Sequence, residues 1–302
     1  MAKPEINLPN DINAQTLGKR RSLLSIIVAK FFQNKLAVIA LVVLSIIITS
    51  AILAPLITPH DPNLQNLRHR LEPPGPEFWL GTDHLGRDLF SRLLYGGRVS
   101  LTVGFVAMIG AVSIGTTIGA IAGFFGGKVD AFLMRLVDVI ISFPNIFLLI
   151  TLVAVLEPSM EILILVFALL SWTGTSRLVR GEFLTLKNRE FVLAARTIGM
   201  SNTRIIFGQI LPSAMGPVIV AATLAVGNFI LAESTLSFLG LGIQPPRASW
   251  GNMLTYSQSV TIFRNAVWYP TFPGLAILIT VLCFNFIGDG LRDALDPRIV
   301  EK

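Results

Sequence analysis

VSLTVGFVAMIGAVSIGTTIGAIAGFFGG, residues 99–127, contains no Asp, Glu, Lys, Arg or His. A helix of about 20 apolar residues, rising 1.5 Å per residue, crosses the hydrocarbon of a bilayer, so this stretch is ample for a span. No soluble core needs so long a charge-free run. Within it Gly115, Gly119 and Gly123 recur at four-residue spacing, which puts bare backbone along one helix face where a second helix can approach.

Five more charge-free runs flank it, at 36–59, 139–156, 162–176, 205–232 and 265–288. The 302-residue chain is 53% hydrophobic and only 14% charged, and its mean hydropathy is +0.69. Soluble domains carry about 25% charged residues, so a protein solvated over its whole surface is excluded. The fold class predicted is all-α, a polytopic membrane bundle of six helices spanning about 36–59, 99–127, 138–156, 159–177, 205–238 and 265–288. The short fourth run is extended toward Ser159, with Arg177 snorkelling at its other end. Residues 1–35 read as a tail and 36–302 as one transmembrane domain with outer loops at 60–98 and 239–264. The first run ends in Pro55 and Pro59 without a small-residue cleavage site, so it reads as a retained anchor.

The net charge of +6 comes from 24 Lys and Arg against 18 Asp and Glu. With six spans and an inside N-terminus, only Arg68, Arg70, Arg87, Arg92, Arg98, Arg247 and Arg264 fall outside. The other basic residues, Lys3, Arg298 and Lys302 among them, fall inside, which predicts both termini in the cytoplasm. The basic residues thus read as topology determinants, and no nucleic-acid surface is expected. The lone Cys283 has no partner, and His60, His69 and His84 lack ligand spacing, so no metal site is predicted.

Function concentrates in three segments. In KNREFVLAARTIGMSNTRIIFGQILP (187–212), Phe191, Ala194, Ala195 and Ile198 fall on one helical face, Gly199 stops the helix, and Ser201 can cap the next. This predicts a short helix lying across the membrane face, resting on headgroups or docking to a partner. In GTDHLGRDLFSRLLYGGRVSL (81–101), Thr82 or Asp83 can cap a helix that aligns Leu85, Leu89 and Leu93. Asp83, Arg87, Asp88 and Arg92 would then be the polar side of an outer interfacial helix. In the fifth span, Asn228, Glu233 and Ser237 are candidates to line a translocation path, because an ionisable group at membrane depth usually faces protein or a water-filled cavity. Pro144 and Asn145 can open the third span's hydrogen-bond ladder, and Asp289, Arg292 and Asp293 read as a charge network at the inner edge.

The 187–212 segment resembles the EAA motif of ABC importer permeases, with Ala194, Ala195, Gly199, Leu211 and Pro212 in register and with Leu193 and Gln209 departing from it. Together with FLGLGIQPPRASWGNML (238–254) and NFIGDGLRDALDPR (285–298), the 81–101 segment is similar to the C-type permease subunit of dipeptide, oligopeptide and nickel importers. The resemblance covers the chain from about Lys35 onward. It implies a type I importer fold in a bacterial inner membrane and a 185–204 coupling loop in which Glu190, Leu193, Ala194, Ala195 and Gly199 meet partner ATPases. It also implies a homologous second permease, two cytoplasmic ATPases, an extracytoplasmic substrate-binding protein and a peptide substrate.

No cofactor is expected on this chain. AGFFGGKV (122–129) lacks the first glycine and the hydroxyl of a phosphate-binding loop, so ATP and Mg²⁺ belong to partners. No nucleophile or metal motif suggests an enzyme. A self-contained ion-coupled carrier stays open as an alternative, though the paired repeats of such carriers are not visible. Nickel complexes stay open as cargo of the same permease role.

Overall fold

The computed structural model describes residues 23–295, all of whose long elements are helices. α1 (Leu23–Gln33) and α2 (Lys35–Ile52) part at Asn34, whose side chain accepts the Ala37 amide at 3.2 Å and caps α2. α1 therefore occupies the end of the sequence expected as a tail. The remainder of that tail, with Lys3, and Arg298 and Lys302 at the other terminus lie outside the described residues.

A one-turn α3 (Ala54–Ile57) and a 3-10 turn (Leu67–His69) lead to α4 (Leu89–Phe125), 37 residues long. Next come α5 (Gly127–Ile141), α6 (Asn145–Leu156) and α7 (Met160–Leu186). The short α8 (Glu190–Thr197) and α9 (Asn202–Ile205) precede a π turn (Ile206–Ile210) that opens α10 (Leu211–Phe238). There the Leu211 amide reaches back to the Ile206 carbonyl, a slippage suited to the missing N–H of Pro212. α11 (Trp250–Met253), α12 (Val260–Asn265) and the long α13 (Trp268–Leu295) complete the chain.

Five helical segments are long and apolar enough to cross a bilayer by themselves: α2, α4, α7, α13 and the Asn202–Phe238 rod that contains α10. The expected third span is instead a bent pair, α5 and α6, meeting at 79°. Its break falls at Pro144, which lacks an amide hydrogen and disfavours helical backbone at Phe143.

Close contacts give the direction of each helix. A Cβ on Gly110, Gly115 or Gly123 would lie 2.7 Å from the Ala168 Cβ, 2.6 Å from the Trp172 carbonyl oxygen and 2.6 Å from the Phe183 Cβ, respectively. Residue numbers rise together along both partners, so α4 and α7 run parallel with their backbones in contact. The chain leaves α4 at one end and must begin α7 at the other, so the α5–α6 pair carries it back across the bundle. Gly104 meets Ile230 while Ser100 bonds Glu233, and Gly290 meets Ala37 while Ala51 shares a cavity with Ala276 and Ile279, so α10 runs antiparallel to α4 and α13 antiparallel to α2. Lys35, α8 and Leu295 thus share one end of the bundle, and the Thr82–Asp88 turn and α11 share the opposite end.

Arg180 Nε and Nη2 donate to the Asp130 carboxylate at 2.5 and 2.6 Å, and Arg177 meets Asp138 at 2.6 Å. Both bonds fasten α5 to α7, so Arg177, expected to snorkel, is instead paired. The charge network expected of Asp289, Arg292 and Asp293 does not form within the described residues. No ion pair joins them, all three are exposed, and Asp289 and Arg292 line a cavity of about 470 Å³ among α7, α10 and α13.

Because no hydrophobic driving force acts between helices inside a bilayer, backbone approach carries much of the α4–α7 association. Gly119→Leu should therefore separate the two helices and cost about 1–3 kcal/mol or more. Gly181→Ala, whose Cβ would meet no atom within 4 Å, should be tolerated. Thermal unfolding in detergent separates the outcomes, and equal midpoints for the two variants would contradict the packing role.

Candidate functional site

At the α8 end, the helix stops in a full Schellman arrangement. The Met200 amide reaches the Ala195 carbonyl at 3.1 Å, the Gly199 amide reaches that of Arg196 at 3.0 Å, and Gly199 has φ +77°. A Cβ there would meet nothing within 4 Å, so glycine is needed for its backbone conformation and not for space. Ser201 occupies the N-cap position of α9 but makes no side-chain cap bond.

Val192 and Ala195 are buried with Phe124, Phe183, Ile205 and Ile210. Phe191, Leu193, Ala194 and Ile198 are exposed, Ile198 at 76%, and Glu190 is exposed beside them. This corrects the expected docking face. At 100° per residue Ala195 lies on the seam, and the chain's own core claims it with Val192. Phe191, Ala194 and Ile198 remain as an outward apolar face, and Arg196 lies over the Phe124 ring at 5.4 Å.

At the opposite end, the helix expected over 81–98 begins only at Leu89, as the first turns of the span and not as a separate interfacial helix. Thr82–Asp88 is a tight turn closed by an antiparallel bridge, with Gly81 at φ +80° and Gly86 at φ +71°. Positive φ at Gly86 ends the helical period suggested by Leu85, Leu89 and Leu93. Asp88 is the true N-cap, accepting the Ser91 amide at 2.9 Å, and α4 continues from there into the span. Asp83, Arg87, Asp88 and Arg92 are consequently buried, not displayed on a surface helix. Asp83 Oδ2 lies 2.6 Å from Arg87 Nε and 3.5 Å from Arg92 Nε. His84 stacks on Tyr256, and its Nδ1 lies 3.2 Å from the Tyr269 hydroxyl. Burial lowers its pKa to about 4, with Arg87, Arg92 and Arg70 adding to that effect and Asp83 opposing it. The ring is neutral at pH 7.

Glu233 does not line a path. It is completely buried, with Oε2 accepting the Ser100 hydroxyl at 2.9 Å and Oε1 the Ser237 hydroxyl at 2.7 Å. Ser100 Oγ in turn accepts the Trp250 amide, and Ser237 Oγ the Ile243 amide, both at 3.2 Å. The carboxylate group is the hub that fastens the 239–253 segment onto α4 and α10. Ser237 is withdrawn from the path with it, whereas Asn228 is exposed. Among the described residues, no three His, Cys, Asp or Glu side chains converge on a possible ion position.

Sequence reasoning missed Ser100 and Ser249. The latter forms a capping box with Asn252 at the start of α11, a signal legible in Ser249-x-x-Asn252. Nothing local could have paired Ser100 with a residue 133 positions away. Glu233→Leu should strand both hydroxyls at about 1–3 kcal/mol each, lower the unfolding midpoint and expose Trp250 to quenching, whereas Glu233→Gln should lose much less. Identical midpoints for Leu and Gln would sink the hub role.

Residues 115–301 match the family described as binding-protein-dependent transport system inner membrane component, and residues 22–74 match the N-terminal transmembrane domain of oligopeptide transport permease C. A dipeptide transport system permease protein of Alkalihalophilus pseudofirmus is 46% identical over 88% of this chain and 87% of its own length. An oligopeptide transport system permease protein of Bacillus subtilis is 39% identical over 95% and 94%. Among solved structures, an inward-facing MetNI methionine ABC transporter chain aligns with a TM-score of 0.56 at 20% identity, covering 69% of this chain and 98% of that one, a likeness of fold. These matches, with which the all-helical bundle agrees, place the chain in the inner-membrane component family of binding-protein-dependent transporters, as a non-catalytic permease subunit of the dipeptide and oligopeptide C type.

Proposed function

We propose that this subunit forms, with a homologous second permease, the path by which di- or oligopeptides enter a bacterial cell. Two cytoplasmic ATP-binding-cassette ATPases would drive it, and an extracytoplasmic binding protein would load it. The observation that carries the coupling role is the outward apolar face of α8, because exposed Phe191, Leu193, Ala194 and Ile198 on a helix pinned by Val192 and Ala195 form a knob left uncovered by the described residues. Glu190 and the Gly199 stop set its ends.

The peptide assignment is supported by the names of the relatives. The path is best placed along the side of α10 that this chain leaves uncovered, where Pro217, Asn228, Leu231 and Thr235 are exposed. Those positions recur on one helical face and so offer a surface to a second permease across a shared channel.

The excess of basic residues in the segments at the α8 end, Lys187, Arg189, Arg196 and Arg204 among them, supports a cytoplasmic position for that end. Cysteines at Gln65 and Asn188 in a Cys283→Ser background should be labelled by an impermeant thiol reagent from outside at position 65 alone. Labelling at position 188 from outside would reverse the orientation.

Phe191→Asp with Ile198→Asp should release the ATPases from the purified complex and abolish uptake of a labelled dipeptide, at normal membrane abundance. Val192→Asp should instead lower abundance, because it strikes the chain's own core. Retention of the ATPases by the double variant would refute docking through this face.

A further inference from the structure

A cavity of about 160 Å³ lies at the end of the bundle opposite α8, lined by His84, Arg87, Arg92, Gln244, Tyr256 and Tyr269 among others. Arg87 and Arg92 are 6% and 3% exposed, so their charges sit largely out of water. Asp83 is the one acidic side chain among the described residues that bridges either of them, and it is shared by both. Asp88, the other acid nearby, accepts the Ser91 amide and hydroxyl, at 2.9 and 2.5 Å, and faces His60 at 3.8 Å. Arg92 also donates from Nη1 to the Pro62 carbonyl at 3.0 Å. His84 is neutral, and Arg70 is exposed to solvent. Beside this space two buried guanidinium groups thus share a single bridging carboxylate, that of Asp83.

A buried cation without its own counter-ion is costly, and an anion that enters the space offsets that cost. The mouth is defined by exposed Gln244 and Tyr256, with the two arginines deeper in. Guanidinium forks favour planar carboxylates, which they hold by paired hydrogen bonds. The volume is that of a few water molecules, which admits a carboxylate with a short attached residue and no larger group.

We propose that this cavity binds a carboxylate, and that the carboxylate is the C-terminus of the transported peptide. The assignment to peptide rests on the function proposed above, whereas the carboxylate site stands on the arginine cluster itself.

Saturation-transfer NMR on the full chain in lipid nanodiscs tests both, using acetate, acetamide, dialanine and dialanine amide. The acids should bind, and the amides should bind about ten-fold more weakly or worse, since a charge-assisted hydrogen bond is worth about 1.5–3 kcal/mol. Gln244→Glu places a tethered carboxylate on an exposed rim, where folding is not at stake, and should weaken acid binding by a similar factor. Arg87→Lys, which keeps the charge and loses the fork, should weaken it as well. Equal signals from acetate and acetamide, or acid binding unchanged in Gln244→Glu, would overturn the site. Acetate binding without dialanine binding would overturn the peptide assignment. Uptake of dialanine by the reconstituted transporter reads the peptide function separately, so its failure is distinguishable from failure of the cavity.

Discussion

The backbone of α4 lies directly against the backbone of α7, and the rest of the bundle is placed by that contact. In a hydrocarbon solvent large apolar side chains gain little by meeting one another, so association comes from close van der Waals approach and from polar groups that find partners. The glycines of α4 provide the first. The parallel course of the two helices then obliges the α5–α6 pair to return across the bundle, and the Arg180–Asp130 fork holds that bent return in place.

Polar bonding governs the end opposite α8. Glu233 gathers two serines, each of which accepts a backbone amide from the 239–253 segment, so one carboxyl group organises three pieces of chain. Such a buried network is stable only when each member is satisfied, which is why the hydroxyls and amides converge as they do. At the other end the core formed with Val192 and Ala195 fixes the attitude of α8, leaving its second apolar face outward.

Much of this was legible in the sequence where a residue type permits few alternatives. The glycine stripe at 115, 119 and 123 meant close approach, Pro144 meant a break, and Gly199 meant a left-handed stop. The errors have equally physical origins. Leu85, Leu89 and Leu93 keep helical spacing across Gly86, and spacing alone cannot reveal a positive φ. Glu233 reads toward water in the sequence because hydropathy cannot distinguish a hydrated path from hydroxyls supplied by distant parts of the same chain. Ala195 falls on the docking face by spacing because a period of 3.6 locates a face only to within a residue, and the core takes the adjacent arc.

α4 has no proline between Leu89 and Phe125 and no break in its helical course. At about 1.5 Å per residue its 37 residues make a strut of about 55 Å. Arg92, one wall of the cationic cavity, stands in its first turn, and Phe124, beneath Arg196 of α8, stands in its last. A rigid tilt of this strut displaces its two tips in proportion to its length. Tilting it by about 5° moves one tip about 5 Å relative to the other, by the geometry of that length alone. One wall of the cavity and the seat of α8 thus belong to a single uninterrupted helix.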